Sequence, residues 1–236
     1  MANAAIFLCA GSGTRMRGQV ADKVLTPLGG HSVFWHSIKA FEDSGLIEHA
    51  VVVYRDDEQR EALEKVITET NVDWEISWAL GGKERQDSVF NGLSETSLLV
   101  DYVFIHDCAR PMIRIENLHA LHQAALENGA AVLAHRVADT IKRAAGSQRK
   151  LTARKLKDVP RSNLWAMETP QVFHRETVME CYRRLRLAGL SVTDDTAAVA
   201  REGHSVTLVE NPFPNPKLTT PADLPYLEFL LQQYAQ

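Results

Sequence analysis

Short, nearly continuous apolar runs alternate with helical patterns along this chain, and that alternation constrains its fold more than any other feature. Ala4 to Cys9 is apolar and stops at Gly11-Ser12-Gly13, which reads as a strand buried on both faces that feeds a loop. Val33 to Phe41 sets Val33, Phe34, Ile38 and Phe41 at helical spacing, and His49 to Tyr54 is a β-branched run. Asp57 to Glu69 reads as a polar helix with Leu63, Val66 and Ile67 on one side, Trp74 to Leu80 as a strand, and Gln86 to Leu93 as a short helix. Tyr102 to His106 is a further buried strand; Ile115 to Asn128 is a helix closed by Gly129, and Ala130 to Val137 a strand after it. Such alternation predicts an α/β fold, a mostly parallel twisted sheet flanked by helices, whose ligands bind beyond the carboxyl ends of the strands.

The stretch from Asp139 to about Trp165 breaks the rhythm. Between Lys142 and Arg161 it holds eight basic residues and one acid, Asp158, with a turn signal at Gly146-Ser147. It reads as a β-arm that leaves the one domain spanning 1–236. Helices over about Arg175 to Ala188 and Thr193 to Arg201, a strand from Ser205 to Val209 and a last helix follow. Thr220 as N-cap, Pro221 at the first position and Asp223 at the third mark the start of that last helix.

Composition narrows the class. Apolar residues make up 45% and charged residues 24%, with a net charge of −4, so the chain lacks the basic face of a general nucleic-acid or membrane-surface binder. Cys9, Cys108 and Cys181 form no CxxC pair, which predicts neither a disulfide framework nor a structural zinc site. With no signal-like N-terminus and no membrane-length apolar run, the expected compartment is the cytoplasm.

Four places after strands carry candidate chemistry. Gly11 and Gly13 follow the first strand, with Arg15 and Lys23 close behind. Glycines here let backbone N–H groups approach an anion. Met16 stands where a dinucleotide fingerprint needs its third Gly, and Gly18 is followed by Gln19, so neither that motif nor a P-loop fits. An ordinary strand-to-helix turn with two solvated cations remains open. Gly81-Gly82 leads to Ser88 at a helix start, where exposed backbone could read a base edge or simply form a turn. Asp107 and Arg110 end a buried strand, where charge is costly unless used or paired. Asp107 suits Mg²⁺ or substrate hydroxyls; a loop brace between Asp107 and Arg110 is the alternative. Lys217, before the last helix, would not stand out by itself.

Taken in order, the motifs resemble a known family. Ala-Gly-x-Gly-x-Arg-Met (10–16), Lys23, Gly-Gly-x-x-Arg-x-x-Ser (81–88), His-Asp-x-Ala-Arg-Pro (106–111), Asp-Thr-Ile-Lys-Arg (139–143), Leu-Trp-x-x-x-Thr-Pro-Gln-x-Phe (164–173), Thr-Asp-Asp (193–195) and Lys-Leu-Thr-Thr-Pro-x-Asp-Leu (217–224) resemble the 2-C-methyl-D-erythritol 4-phosphate cytidylyltransferases of the nonmevalonate isoprenoid pathway. The resemblance implies a Rossmann-like nucleotidyltransferase fold and a homodimer interlocked through the 139–165 arm. It implies CTP and a sugar-alcohol phosphate as substrates, with Mg²⁺ as cofactor. Backbone around Cys9, Ala10, Gly11, Gly13 and Gly82, with Ser88, would hold the cytidine part, and Asp107 would lie at the ribose and metal. Arg15, Lys23 and Lys217 would surround the triphosphate as the catalytic cations. Asp107, Arg110, Thr140, Arg161, Thr169, Thr193 and Asp194 would form or border the sugar-phosphate pocket. The sequence departs from the family at Leu8-Cys9 (often Pro-Ala), Lys83 (commonly acidic), Cys108 (usually Ala) and Thr196 (commonly an acid). A ribitol-5-phosphate cytidylyltransferase, a nucleotidyltransferase using another nucleotide, and a non-catalytic nucleotide sensor are the competing readings.

Overall fold

The computed structural model describes residues 1–11, 22–145 and 155–234. The first apolar run becomes β1 (Ala2–Leu8), followed by a small hairpin, β2 (Pro27–Leu28) and β3 (His31–Ser32). Helix α1 (Val33–Ser44) starts on the Ser32 hydroxyl, which accepts the Trp35 amide at 3.2 Å, and stops at Gly45 in the left-handed region. Strand β4 (His49–Tyr54), helix α2 (Asp57–Thr68), strand β5 (Glu75–Leu80) and helix α3 (Arg85–Ser94) complete the first half. The second half comprises β6 (Val100–Asp107), α4 (Ile115–Asn128), β7 (Ala130–Arg136), β8 (Ile141–Ala144), β9 (Leu156–Val159), β10 (Trp165–His174), α5 (Arg175–Leu187), α6 (Asp195–Arg201), β11 (Thr207–Glu210) and α7 (Asp223–Tyr234).

Seven strands share one sheet in the order β11-β7-β10-β6-β1-β4-β5. Every neighbouring pair is parallel except those of β10, which runs antiparallel to both β6 and β7. The central strands are buried on both faces, which explains their unbroken apolar runs. Ala5 and Phe7 of β1 point towards α1, α2 and α4, packing with Phe34, Phe41, Leu63 and Leu121. Ala4 and Ile6 point to the other face, towards Leu93 of α3, Tyr182 and Leu185 of α5 and Val199 of α6. Strands β4 and β5 build outward from β1 on one side, and β6 then returns to its other side. The order reverses between β1 and β6, which opens a crevice beyond their carboxyl ends.

Strand β10 is the element that apolar patterning misses. Glu168, Pro170 and Gln171 interrupt its run, and proline ordinarily argues against an inner strand. The ladder tolerates them through an irregularity. From Met167 to Gln171 the strand advances four residues while its partner passes only from Ala134 to Val132. Residues 168–170 thus bulge out of the pairing, next to the end of β6. Among the described residues, strands β8 and β9 pair only with each other, and the side chains along them are mostly exposed.

The last helix begins as its letters predict in kind, two residues later in place. Asp223 accepts the amides of Thr219 at 2.8 Å and Thr220 at 2.7 Å, and regular helix starts at Asp223 itself. This turn packs Leu218 against Ala109 and Leu227, and the Leu218 amide donates to the Ala109 carbonyl at 2.7 Å. Lys217 is thereby brought to the end of β6.

Candidate active site

Two adjoining chambers lie over the β1–β6 crevice. The larger, about 400 Å³, is lined by Ala10, Gly11, Lys23, Arg55, Gly82, Lys83 and Ser88. The smaller, about 190 Å³, is lined by Arg110, Met167, Glu168, Thr169, Gln171, Thr193 and Asp194. Arg85, Asp107 and Lys217 border both chambers and form the junction between them.

The junction is a chain of charges. Asp107 takes Arg85 Nε on Oδ1 at 3.0 Å and the Lys217 ammonium on Oδ2. Arg85 also grips Asp195 with both terminal nitrogens, at 2.9 and 2.8 Å, and Tyr182 donates its hydroxyl to the same carboxylate. Burial alone would raise the Asp107 pKa, but the charges of Arg85 and Lys217 outweigh it and hold the carboxyl well below the usual range. Burial likewise works against the charge of Arg85, yet Asp195 and Asp107 hold its pKa well above the ordinary value. Burial, then the Asp195 charge, pushes the Tyr182 phenol well up, so it remains a hydroxyl donor.

Behind Asp107 lies a neutral relay. His106 is fully buried, and desolvation lowers its pKa to about 3. Its Nε2 faces the Arg110 carbonyl at 3.2 Å, an acceptor only, so the ring proton sits there. Nδ1 is therefore bare and accepts the Thr169 hydroxyl at 3.3 Å, while that oxygen accepts the Asp107 amide at 3.1 Å. The sequence of bonds ties the end of β6 to the bulge of β10.

The glycine pair after β5 is dictated by contact. A Cβ on Gly82 would lie 2.1 Å from the Asp87 Cβ, and one on Gly81 would lie 2.4 Å from the Ala10 Cβ. Ser88 braces the turn, accepting the Gly82 amide at 3.0 Å and donating to the Glu84 carbonyl at 3.3 Å. Across the chamber, the Lys23 ammonium lies 3.5 Å from where a Cβ on Gly11 would project.

In sequence this chain is similar along almost its whole length to proteins of one activity. The profile of the 2-C-methyl-D-erythritol 4-phosphate cytidylyltransferases matches residues 3–233. The 2-C-methyl-D-erythritol 4-phosphate cytidylyltransferase of Geobacillus thermodenitrificans is 38% identical over 227 residues, 96% of each chain. The chain belongs to this cytidylyltransferase family. The crystal structure of the Thermus thermophilus cytidylyltransferase superposes with a TM-score of 0.75 at 26% identity, covering 96% of this chain and 98% of that one. The 4-diphosphocytidyl-2C-methyl-D-erythritol synthase of Anaerococcus prevotii shares the fold with a TM-score of 0.84, at 24% identity, covering 98% and 96% of the two chains.

The cytidylyltransferase motifs converge on the two chambers. Ala10, Gly11, Lys23, Gly82 and Ser88 line the larger one, Asp107 and Lys217 the junction, and Arg110, Thr169, Thr193 and Asp194 the smaller. Gly13 and Arg15 lie outside the described residues. Cys9 and Cys108 are fully buried beneath the cleft, and Cys9 is not among the lining residues. Thr140 and Arg161 sit on the exposed arm, where Arg161 donates to the Ala138 carbonyl, and neither lines a chamber of its own chain.

One alternative in the sequence is corrected. The side-chain brace from Asp107 to Arg110 does not form: Arg110 Nη1 donates instead to the Asn215 carbonyl at 2.7 Å, and Asp107 is taken by Arg85 and Lys217. The sequence assigns no role to Arg85, Asp195, Gln171 or Glu168, although the first three are letters of its motifs. Arg85 is nevertheless in plain view as the arginine of Gly-Gly-x-x-Arg. Glu168 is 3% exposed, and its carboxylate takes Asn211 and Asn215 amides at 2.9 Å each. No spacing rule finds that long-range set.

Proposed function

We propose that this protein transfers the CMP part of CTP to 2-C-methyl-D-erythritol 4-phosphate, giving 4-diphosphocytidyl-2-C-methyl-D-erythritol and pyrophosphate in isoprenoid biosynthesis. The observation that carries the reading is the Arg85–Asp107–Lys217 junction between two chambers, in a chain matched almost throughout by the cytidylyltransferase family. A nucleotide fits the larger chamber and a small phosphate ester the smaller, so the phosphates of both meet at the junction.

The attacking group is a phosphate monoester, whose second pKa is about 6, so at neutral pH it is already an anion and needs no general base. The obstacle is repulsion between two polyanions, and fixed countercharge with positioning removes it. The attacking oxygen bonds to the α-phosphorus of CTP as the bond to the β-phosphate oxygen breaks, and pyrophosphate leaves in line. Lys23 and Lys217, together with Arg15, neutralise the triphosphate. Backbone at Ala10, Gly11 and Gly82 frames the cytosine. The Ser88 oxygen retains a lone pair that can accept from the exocyclic amine. Thr169, Thr193, Asp194 and Arg110 border the second substrate.

A magnesium ion fits the donor set. Such ions are commonly held by one or two carboxylates together with substrate phosphates and water. Asp107 offers one carboxylate at the junction, where it would hold the ion once Lys217 turns to phosphate. The ion would supply further neutralisation of phosphate charge.

The exposed, basic β8–β9 arm supports a homodimer in which Thr140 and Arg161 reach the partner's smaller chamber; light scattering of the intact chain against one lacking 139–165 tests this. No helix among the described residues is long and apolar enough to cross a membrane. Together with the buried free thiols and the charged substrates, a cytoplasmic location fits.

The deciding assay is pyrophosphate release with CTP and Mg²⁺, comparing 2-C-methyl-D-erythritol 4-phosphate with ribitol 5-phosphate. Release with the first alone is the expected result. Release with the second alone would move the protein to ribitol phosphate chemistry, and release with neither would leave a nucleotide sensor.

A further inference from the structure

Gln59 stands in the first turn of α2, a place where glutamine is ordinarily solvated, yet it is 1% exposed. Burying a primary amide costs free energy unless its hydrogen-bonding groups are matched. Here they are. Nε2 lies 3.1 Å from the Cys9 carbonyl and 2.5 Å from Asp22 Oδ2, while Oε1 accepts the Arg55 amide at 2.6 Å. Two acceptors on one side and one donor on the other fix which end is nitrogen.

The two acceptors come from separate parts of the chain. Cys9 precedes Gly11, and Asp22 precedes Lys23, so a single amide ties together the residues beside the larger chamber's glycine and lysine. Asp22 is itself fully engaged. Its Oδ1 accepts the Val24 amide at 3.0 Å, and its Oδ2 accepts Arg55 Nη1 at 2.9 Å beside the Gln59 amide. Arg55 Nε is held in turn by Asp56 at 2.7 Å. The corner between β4 and α2 thus anchors Cys9 and Asp22 through Gln59.

We infer that Gln59 is a positioning residue: it ties Cys9 to Asp22 and so sets Lys23 against Gly11 where the nucleotide phosphates bind. The inference rests on the cytidylyl-transfer reading for the identity of the ligand, and on the hydrogen bonds alone for the tie. Gln59 is buried and lines neither chamber. Its effect therefore belongs to the nucleotide side of the cleft, not to the chamber beyond Asp107.

Two variants test it. Gln59→Glu keeps the shape but sets a carboxylate against Asp22 and the Cys9 carbonyl. Gln59→Met keeps the length and removes every polar contact. In both, kcat/KM for CTP is expected to fall about 10-fold or more, as for the loss of two buried hydrogen bonds in Gln59→Glu and three in Gln59→Met. KM for the sugar-alcohol phosphate at saturating CTP is expected to stay within about 2-fold, well under the cost of one such bond. Equal loss for both substrates with a lowered Tm, or no loss for either, would overturn the inference. Tryptic cleavage after Arg15 and Arg17, measured without ligand, is expected to quicken in Gln59→Met. Should the wild type release no pyrophosphate from CTP, the functional reading falls, and unchanged cleavage would separately remove the tie.

Discussion

Arg85 and Asp195 meet end on, Nη1 to Oδ1 at 2.9 Å and Nη2 to Oδ2 at 2.8 Å, and the Asp195 side chain has no exposed surface. Arg85 has its third nitrogen, Nε, on Asp107. The arginine is thus locked at three points, and α6 supports the cleft junction through it. Removing Asp195 leaves Arg85, which is 29% exposed and still paired with Asp107, without its main partner, a loss of about 1.5–3 kcal/mol, the range for a hydrogen bond to a charged group. Asp195→Ala should therefore lower the unfolding free energy by about that amount, read from urea denaturation. It should also lower turnover, since Arg85 then has only Asp107 to fix it. A variant as stable as the wild type would show that Arg85 finds another partner.

Lys217 is the freer of the two cations on Asp107. Its ammonium meets the carboxylate end on and can turn towards phosphate while Arg85 keeps Asp107 in place. Lys217→Ala should lower kcat by at least ~10²-fold, comparable to the loss of an oxyanion-hole donor, and should also lower Tm, since buried Asp107 is then held by Arg85 alone. Lys23→Ala, at the other side of the triphosphate, should lower kcat likewise. Near-normal turnover in either variant would remove fixed countercharge as the source of catalysis.

The cleft was legible in the sequence where its residues follow strands. Gly11, Gly82 and Asp107 each come just after or at the end of an apolar run, and a parallel sheet places such points together at its carboxyl edge. What escaped was held by distance in sequence. Asp195 reaches Arg85 across 110 positions, and Asn215 reaches Glu168 across 47. Strand β10 escaped because its central Glu168-Thr169-Pro170 leaves the ladder, so neither periodicity nor propensity marks it. Gln59 was hidden in a helix turn that reads as polar surface, because only the folded chain supplies its acceptors.

Gly82 offers a test of the larger chamber's wall. The Cβ of Gly82→Ala would fall 2.1 Å from the Asp87 Cβ and 3.1 Å from the Asp87 carbonyl carbon, and neither atom is the end of a flexible chain. The turn must shift, carrying the Gly82 amide away from Ser88 Oγ. CTP affinity, measured by titration calorimetry, should fall about 10-fold, the equivalent of about 1.4 kcal/mol. Gly129→Ala is the control: its φ of 80° disfavours a side chain, but it closes α4 on the far side of the sheet. It should reduce Tm and leave CTP affinity unchanged. Equal affinity in Gly82→Ala and wild type would place the base elsewhere.

His106 makes stability depend on pH in a stated window. Burial is the main cause of its low pKa of about 3; the nearby Arg110 and Lys217 charges add to it, and Asp107 opposes them. In the unfolded chain its pKa is the ordinary 6.5. The folded value is thus depressed, so the unfolded state binds the proton first as pH falls. The stabilising contribution of neutral His106 is complete above pH 6.5 and is lost progressively down to about pH 3. One proton corresponds to a slope of about 1.4 kcal/mol per pH unit. His36, His49 and His122 also have lowered pKa values, chiefly from burial, and the carboxylates titrate in the same range. The wild-type curve is therefore a sum, and the difference from His106→Gln isolates the one group. That variant should start less stable at pH 7, having lost the geometry of the Thr169 and Arg110 contacts. The gap should then close as pH falls from 6.5 towards 4.5, because only the wild type has this imidazole to charge. Urea denaturation at pH 7, 5.5 and 4.5 measures it, and two parallel curves would mean that His106 is as easily protonated in the folded protein as in the unfolded chain.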